Sequence, residues 1–251
     1  MGRLRRRRLA YVTNDYGPTY LYHNRQNGTF EEVGGPSGTG LGPNGQVLRK
    51  HGFGDFDNDG WLNILVANGN FSSLLDTLPK QHRFAEPIQL FRNRGNRTFE
   101  EMADVARLNA GRLYSRRGTA FGDINNDGRL DAVVFNAGAP PSVFLNETKN
   151  ANHRVLFRLI GTKSNRSAVG ARVRVSTPKL TQIDEVHAGG SYNSTSDTRL
   201  HFGLGSEPTM NKIEVFWPSG LRQEFHDIPA DAIYEIKEGE PIRKTTRLPV
   251  L

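Results

Sequence analysis

The first 150 residues repeat themselves, and this repeat limits the possible folds of the chain more than any other feature. The segment LYHNRQNGTFEEV, which ends at Val33, returns as LFRNRGNRTFEEM, which ends at Met102. Asn24 and Asn93 are equivalent, at an offset of 69 residues. Two aspartate-rich loops, GDFDNDGWLN and GDINNDGRLD, lie 68 residues apart. Two independent landmarks thus share one period, as expected for stacked copies of one structural unit.

Each copy consists of short apolar segments separated by turn residues. AYVTN, NILVAN and DAVVFN have the length and composition of strands, and Gly, Asn, Asp and Pro separate them. An insertion at residues 71–87 is predicted to form a short helix, a lid or an inert loop. Residues 10–150 hold about two complete units, whereas propellers close with roughly 4 to 8 blades. We therefore predict an all-β fold that begins with a partial β-propeller, which an oligomer or further blades would close.

A second domain is predicted at residues 151–240, where longer alternating strands appear without aspartate loops. In ARVRVS the apolar Ala171, Val173 and Val175 alternate with polar residues, which is typical of a strand with one buried face. Seven such strands predict an antiparallel β-sandwich or barrel. Its predicted core comprises Val173, Val175, Phe202, Leu204, Ile213, Val215 and Trp217. Residues 241–251 are predicted to form a C-terminal tail.

Composition narrows the chemistry that the chain can perform. There is no cysteine, so disulfides and thiolate metal sites are excluded, and any metal must bind to oxygen or histidine. Of the net charge of +7, five charges come from arginines in the first eight residues. We interpret residues 1–9 as a basic disordered tail and do not expect nucleic-acid binding. No signal peptide is visible, and no apolar run reaches the roughly 20 residues of a membrane span.

The two aspartate-rich loops have the spacing of calcium-binding loops. Alternate residues of a tightly curled loop converge on one point, where calcium takes roughly 6 to 8 oxygens, and a glycine at position 6 permits the sharp turn. Side chains at positions 1, 3, 5 and 9 and the carbonyl at position 7 are the predicted ligands. In the first loop these are Asp55, Asp57, Asp59, Asn63 and the carbonyl of Trp61. In the second loop they are Asp123, Asn125, Asp127, Asp131 and the carbonyl of Arg129.

The flanks of these loops differ from those of an EF-hand. Position 12, where an EF-hand carries a bidentate glutamate, holds Val66 in the first loop and Val134 in the second. Strand-like segments follow both loops in place of a helix. The alternative is an aspartate-rich turn that binds nothing, because Asp, Asn and Gly also favour ordinary turns. Three close carboxylates would repel one another without a cation, so we predict two Ca²⁺ sites.

These motifs resemble known families. FGD at Phe53 and Phe121, followed by the aspartate loop, resembles the FG-GAP or VCBS repeat of integrin-α-like propellers. NRSAVGARVRV, RLHFGLG and VFWPSG, which begin at residues 165, 199 and 215, resemble the ASPIC/UnbV domain. Together they resemble the cartilage acidic protein family and its bacterial relatives. The first loop has Asn63 where the family pattern usually has aspartate, and the resemblance implies that blades and a signal precede this chain.

The resemblance implies a calcium-stabilised, non-catalytic binding or adhesion module that is extracellular or on the cell surface, or in the periplasm or on the outer surface of a bacterium. Its expected partner is a protein or a glycan at the propeller surface. We found no catalytic motif in the sequence. The alternative is an accessory subunit or fragment of an enzyme that acts on polysaccharide or in secondary metabolism. That alternative predicts a facing pair of carboxylates outside the metal loops.

Overall fold

A computed structural model describes residues 9–13, 19–25, 27–40, 51–77 and 83–249 of the chain. Its first half contains short strands, a four-residue helix, α1 (Gly34–Ser37), and a 3₁₀ helix (Ser73–Thr77) in the predicted insertion. The strands are β1 (Leu9–Val12), β2 (Tyr20–Asn24), β3 (Phe30–Glu32), β4 (His51–Gly54), β5 (Asn63–Val66), β6 (Gln89–Asn93), β7 (Phe99–Glu101), β8 (Arg116–Gly122), β9 (Asp131–Asn136) and β10 (Ser142–Phe144).

Within the described residues these strands form three antiparallel sheets. Their orders are β1-β2-β3, β4-β5-β6-β7 and β10-β9-β8. Each sheet follows the chain, as propeller blades do. The repeat in the sequence explains this arrangement, because equivalent segments occupy equivalent strands: Asn24 ends β2 and Asn93 ends β6.

Strand β5 shows how the sheets pack, because all four of its residues are buried. Successive side chains of a strand point to opposite faces. Ile64 and Val66 pack into a cluster with residues of β1, β2 and β6, whereas Leu65 packs with residues of β8 and β9. The middle sheet is therefore covered by the first sheet on one face and by the third on the other. The all-β class and the propeller-type arrangement predicted from the sequence are confirmed.

The second half of the chain forms two four-stranded sheets that enclose one core. Their orders are β14-β11-β17-β18 and β13-β12-β15-β16. The strands are β11 (His153–Ile160), β12 (Arg172–Ser176), β13 (Thr181–Glu185), β14 (Leu200–Gly205), β15 (Thr209–Phe216), β16 (Arg222–Pro229), β17 (Ala232–Lys237) and β18 (Arg243–Arg247). All seven predicted core residues lie in the cluster between these sheets, none more than 4% exposed.

The sandwich departs from the predicted antiparallel pattern in one pairing. Strands β11 and β17 run parallel, with Val155 opposite Ala232 and Ile160 opposite Lys237. Alternation of apolar and polar residues identifies a strand but does not encode the direction of its neighbour. The remaining pairings of the domain are antiparallel.

The ends of the chain contribute more strand than predicted. Residues 241–251, predicted as a tail, include β18, which pairs with β17, and Leu248, which is buried against Leu156 and Ile233. Leu9, assigned to the basic tail, begins β1. The rest of that predicted tail, residues 1–8, lies outside the described residues. Across the described parts of the chain, no helix is both long enough and apolar enough to span a membrane.

Candidate metal centre

The first aspartate-rich loop joins β4 to β5 and brings three carboxylates together. Asp55, Asp57 and Asp59 each have a carboxylate oxygen within 4.8 Å of the other two. Asp55 is fully buried, and the other two are half-buried. No other group of three histidine or acidic side chains this close occurs among the residues that the structure describes. The alternate spacing seen in the sequence therefore becomes closeness in space at this loop.

Hydrogen bonds from the backbone to the aspartates hold the loop in its curled shape. Asp55 accepts from the N–H groups of Asp59, at 3.1 Å, and Gly60, at 2.9 Å. Asp59 accepts from the N–H of Trp61 at 2.7 Å. Asn58 and Gly60 have positive φ angles of 56° and 86°, which turn the backbone sharply. The carbonyl of Trp61 as a ligand stays a prediction.

The donor set of the first loop fits a hard divalent cation. Oδ1 of Asp57 and Oδ1 of Asn58 are buried and have no hydrogen-bond donor among the described residues. The other oxygen of Asp57 accepts from Nε of Arg92 at 2.8 Å, and the Arg92 side chain is 50% exposed. Within a cluster of three carboxylates, a buried oxygen is thus left without a donor. Calcium prefers such carboxylate and amide oxygens.

The second loop, between β8 and β9, has the same backbone frame. Asp123 accepts from the N–H groups of Asp127, at 2.9 Å, and Gly128, at 2.8 Å. Asp127 accepts from the N–H of Arg129 at 2.9 Å. Asn126 and Gly128 have φ angles of 58° and 84°. Burial raises the pKa of the Asp123 carboxyl, although the two backbone donors and the charge of Arg199 oppose the shift.

Side chains make the second loop different from the first. Position 3 is Asn125, which donates to Oδ2 of Asp127 at 2.9 Å. The guanidinium of Arg129 donates to the same oxygen at 2.6 Å. Both oxygens of Asp127 are therefore occupied by donors from within the loop. Metal ligation by Asn125, Asp127 and the carbonyl of Arg129 stays a prediction. Unlike Asp57 in the first loop, Asp127 has no oxygen without a hydrogen-bond donor.

The side chain at position 9 of each loop is hydrogen-bonded to the backbone near the start of that loop. Oδ1 of Asn63 accepts from the N–H of Phe56 at 2.8 Å. In the second loop Oδ2 of Asp131 accepts from the N–H of Ile124 at 2.9 Å, and its Oδ1 accepts from the N–H of Asn146 at 2.8 Å. These oxygens connect the start of each loop to its end. Metal ligation by Asn63 and Asp131 stays a prediction, whereas their role as clamps is visible in the structure.

Comparison with known families agrees with the loops and with the sandwich. Residues 9–66 and 79–134 match the FG-GAP-like repeat family, and residues 161–243 match the ASPIC and UnbV family. The chain combines FG-GAP-like repeats with an ASPIC and UnbV domain.

Curated relatives share both parts. Cartilage acidic protein 1 of Mus musculus and of Homo sapiens are each 26% identical to this chain, and that of Xenopus tropicalis is 28% identical. Each comparison covers 84% of this chain. The chain spans 39% of the length of the mouse and frog proteins and 38% of the human one.

The ASPIC and UnbV domain and the linker before it contact the first aspartate loop, which sequence reasoning did not predict. The side-chain amides of Asn150 and Asn152 both donate to the carbonyl of Asp57, at 2.8 Å each. The N–H of Gly205 donates to the carbonyl of Asn58 at 2.9 Å. All three donors are neutral, and all three bind backbone carbonyls of the loop, not its carboxylates.

The same domain contacts the second loop through arginines. Nη2 of Arg154 donates to the carbonyl of Asp127 at 2.7 Å, and Nη2 of Arg199 donates to the carbonyl of Asp123 at 2.6 Å. Both aspartate loops of the FG-GAP-like repeats therefore form the junction with the second domain.

Glycines permit this close approach. A Cβ atom at Gly203, on β14, would collide with the Asp55 carboxylate and lie 2.6 Å from the backbone of Asn58. A Cβ atom at Gly60 would lie 2.8 Å from Cδ2 of Leu180. The glycines of RLHFGLG and of the first loop thus serve the contact between the two domains.

A segment of the ASPIC and UnbV domain also binds along β8. The hydroxyl of Ser194 donates to the carbonyl of Thr119 at 2.9 Å, and the hydroxyl of Ser196 accepts from the N–H of Phe121 at 3.1 Å. The N–H of Asp197 donates to the carbonyl of Phe121 at 2.8 Å. The second domain is therefore attached to the repeats through a strand edge as well as through the loops.

A cavity of about 720 Å³ lies between the two parts. The repeats contribute aromatic side chains to its wall, including Phe53, Trp61 and Phe99, and the ASPIC and UnbV domain contributes polar ones, including Asp184 and His187. This volume lies in the range of small-ligand sites. Its wall includes Asp55 of the first loop.

Proposed function

We propose that the chain is a calcium-binding, non-catalytic module of an extracellular or cell-surface protein, in which Ca²⁺ fixes the first aspartate loop beside a binding surface. One observation carries the proposal: Asp55, Asp57 and Asp59 converge within 4.8 Å while a buried oxygen of Asp57 lacks a donor among the described residues. A bound Ca²⁺ would supply the missing positive charge. The residues of the chain hold the loop, and nothing in this role requires an open coordination position.

The similarity to cartilage acidic protein 1 supports this setting. The relatives are named after cartilage, and the comparisons with them cover 84% of this chain. We infer from this likeness an extracellular location and a protein or glycan partner. The cavity beside Asp55 suits such a partner, because aromatic rings and polar side chains together recognise sugars and peptides.

The third sheet indicates a second kind of partner. This partner would be further propeller blades or a second copy of the chain. Strand β5 is buried on both faces, whereas the outer face of β9 and β10 leaves apolar side chains uncovered. Phe135 and Val143 are each 56% exposed, and Leu145 is 54% exposed. A neighbouring blade would cover them as the third sheet covers Leu65. This is how we expect the propeller to be completed.

The enzyme alternative is less well supported by the side chains in the cavity. It requires two carboxylates that face each other outside the metal loops. The carboxylate of Asp197, in the cavity wall, instead pairs with Arg199 at 2.6 Å. The one close group of three acidic side chains found among the described residues belongs to the first aspartate loop, which the calcium proposal already uses. We therefore favour binding over catalysis.

The test is calcium uptake by calorimetry together with thermal melts in EDTA and in 1 mM Ca²⁺. With a dissociation constant of about 10 μM, linkage predicts about 2.7 kcal/mol of stabilisation and a rise of several degrees in Tm. Asp57→Asn should abolish the rise, because the loop loses a charged ligand. Asp104→Asn, an exposed aspartate of the repeats, serves as the matched control and should leave it unchanged. Identical melts in both buffers and no calcium uptake would refute the proposal.

A further inference from the structure

The second aspartate loop has its carboxylates satisfied from within the protein. Arg129, only 16% exposed, donates to Oδ2 of Asp127 at 2.6 Å, while Oδ1 of Asp127 accepts from the Arg129 N–H. Both oxygens of Asp123 accept from backbone N–H groups, and both oxygens of Asp131 do so as well. No carboxylate oxygen of this loop is therefore left without a donor, in contrast to Oδ1 of Asp57.

Arg154 reaches the second loop from strand β11. It is 2% exposed, and Nη2 donates both to the carbonyl of Asp127 at 2.7 Å and to the carbonyl of Pro249 at 2.5 Å. A Cβ atom at Gly128 would lie 2.6 Å from Nε of Arg154, so the loop needs glycine at this position to admit the arginine. The guanidinium lies 4.0 Å from the carboxylate of Asp231, which carries the opposite charge.

Arg199 reaches the same loop from the segment before β14. Nη1 donates to Oδ1 of Asn126 at 2.7 Å, and Nη2 donates to the carbonyl of Asp123 at 2.6 Å. Asp197 holds the guanidinium from its other side, with 2.6 Å between Nε and Oδ2. Two nitrogens of one planar group thus bind two points of the loop, which fixes its orientation as a single bond cannot.

His201, on β14, adds a further contact, because its Nε2 lies 3.1 Å from the carbonyl of Gly128. Asn150, Asn152 and Gly205 contact the first loop through side-chain amides and a backbone N–H, which carry no charge. The guanidinium that pairs with Asp57 in the first loop is that of Arg92, which belongs to the repeats themselves. The second domain therefore contacts the second loop with two guanidinium groups, which it does not place on the backbone carbonyls of Asp57 and Asn58 in the first loop.

We propose that the ASPIC and UnbV domain clamps the second aspartate loop with Arg154 and Arg199, and that these arginines, together with Arg129, take the place of a bound cation there. This inference rests on the proposed function in that Ca²⁺ binds to the first loop. The chain then takes up one calcium ion, and the second loop joins the domains without metal. Through these hydrogen bonds the ASPIC and UnbV domain stabilises the second aspartate loop of the repeats.

Calcium titration of the whole chain by calorimetry, with Asp57→Asn and Asp127→Asn variants, tests the number of ions. We expect one ion per wild-type chain, none for Asp57→Asn, and one with unchanged affinity for Asp127→Asn. Two ions in the wild type, one of them lost in Asp127→Asn, overturn the inference and leave the proposed function standing. No uptake by the wild type overturns the proposed function instead.

Thermal melts in EDTA test the clamp separately from calcium. Arg199→Gln removes both bonds to the second loop, so we expect its Tm to fall by several degrees. Arg166→Gln is the matched control, since Arg166 is exposed in the same domain, and it should melt like the wild type. Equal Tm values for the two variants overturn the clamp, whatever the calorimetry shows.

Discussion

Glu238 is a buried carboxylate that joins two loops of the ASPIC and UnbV domain. Its Oε2 accepts from the N–H groups of Thr162, Lys163 and Ser164, at 2.8, 2.8 and 2.7 Å. Its Oε1 accepts from the hydroxyl of Ser219, in the VFWPSG motif. Burial alone would raise the pKa of Glu238, but these hydrogen bonds outweigh it and lower the pKa from 4.5 to about 2.

Replacing Glu238 should therefore destabilise the domain in a pH-dependent way. Glu238→Gln has one acceptor oxygen in place of two and no charge, so we expect the free energy of unfolding to fall by about 2 to 3 kcal/mol at pH 7. Because the folded pKa lies below the unfolded one, this stabilisation is present above pH 4.5 and is lost as the pH falls toward 2. Urea denaturation at several pH values measures it.

Glu240→Gln is the control for this measurement, since Glu240 forms an exposed ion pair with Lys237. Exposed pairs contribute little, so this variant should unfold like the wild type. A Glu238→Gln variant that is as stable as Glu240→Gln at pH 7 would contradict the structural role of the carboxylate.

At the residue scale, the sequence predicted local chemistry better than distant contacts. The spacing of Asp55, Asp57 and Asp59 was enough to predict the first cluster, because all three lie within one loop. Arg199 lies 76 residues from Asp123, and no short-range pattern connects them. The structure alone shows which charged groups approach the second loop.

At the element scale, the alternation of residues and the positions of turns predicted where strands lie. They did not predict which strands pair with each other. The pattern predicted the strand that follows each aspartate loop, and the buried positions of β12 and β15 were correct. The parallel pairing of β11 with β17 was missed, since a strand's own residues look the same beside a parallel or an antiparallel neighbour. The contact of β14 with the first loop was missed for a related reason: a glycine such as Gly203 does not indicate what packs against it.

Substitution of Gly203 tests that contact. In Gly203→Ala the added methyl group would meet the Asp55 carboxylate and the backbone of Asn58, so the loop must shift. We expect calcium affinity to fall by at least about tenfold, equivalent to about 1.4 kcal/mol. Gly189→Ala is the control, because a Cβ atom there would contact nothing within 4 Å. Equal calcium affinity in the two variants would show that β14 does not position Asp55.

At the scale of the whole molecule, the two domains contact each other at the two aspartate loops. The first loop contacts Gly205 and Asn152, and the second contacts Arg154 and Arg199. Loosening either loop therefore removes contacts from both domains at once. Composition and strand patterns predicted the two domains separately, but the residues at their junction are polar and scattered, so nothing in the sequence predicted that the domains meet at the aspartate loops.

This shared junction predicts cooperative unfolding. Differential scanning calorimetry of the whole chain should show one transition, which Ca²⁺ moves upward as a whole, because a ligand that binds the folded state stabilises every part coupled to it. Magnesium at the same concentration serves as the control and should move the transition less, since it demands a stricter octahedral site. Two transitions, with only one shifted by calcium, would mean that the domains unfold independently.

Attachment of residues 194–197 to β8 has a consequence for solubility. An open strand edge invites pairing with another chain, and β8 carries Gly118 and Gly122, which offer no side chain to prevent it. A Cβ atom at either glycine would meet Tyr192 or Asp197, so the covering segment fits closely against this edge. We therefore expect this segment of the ASPIC and UnbV domain to protect the edge of β8 from intermolecular sheet formation, and we expect chains without it to aggregate.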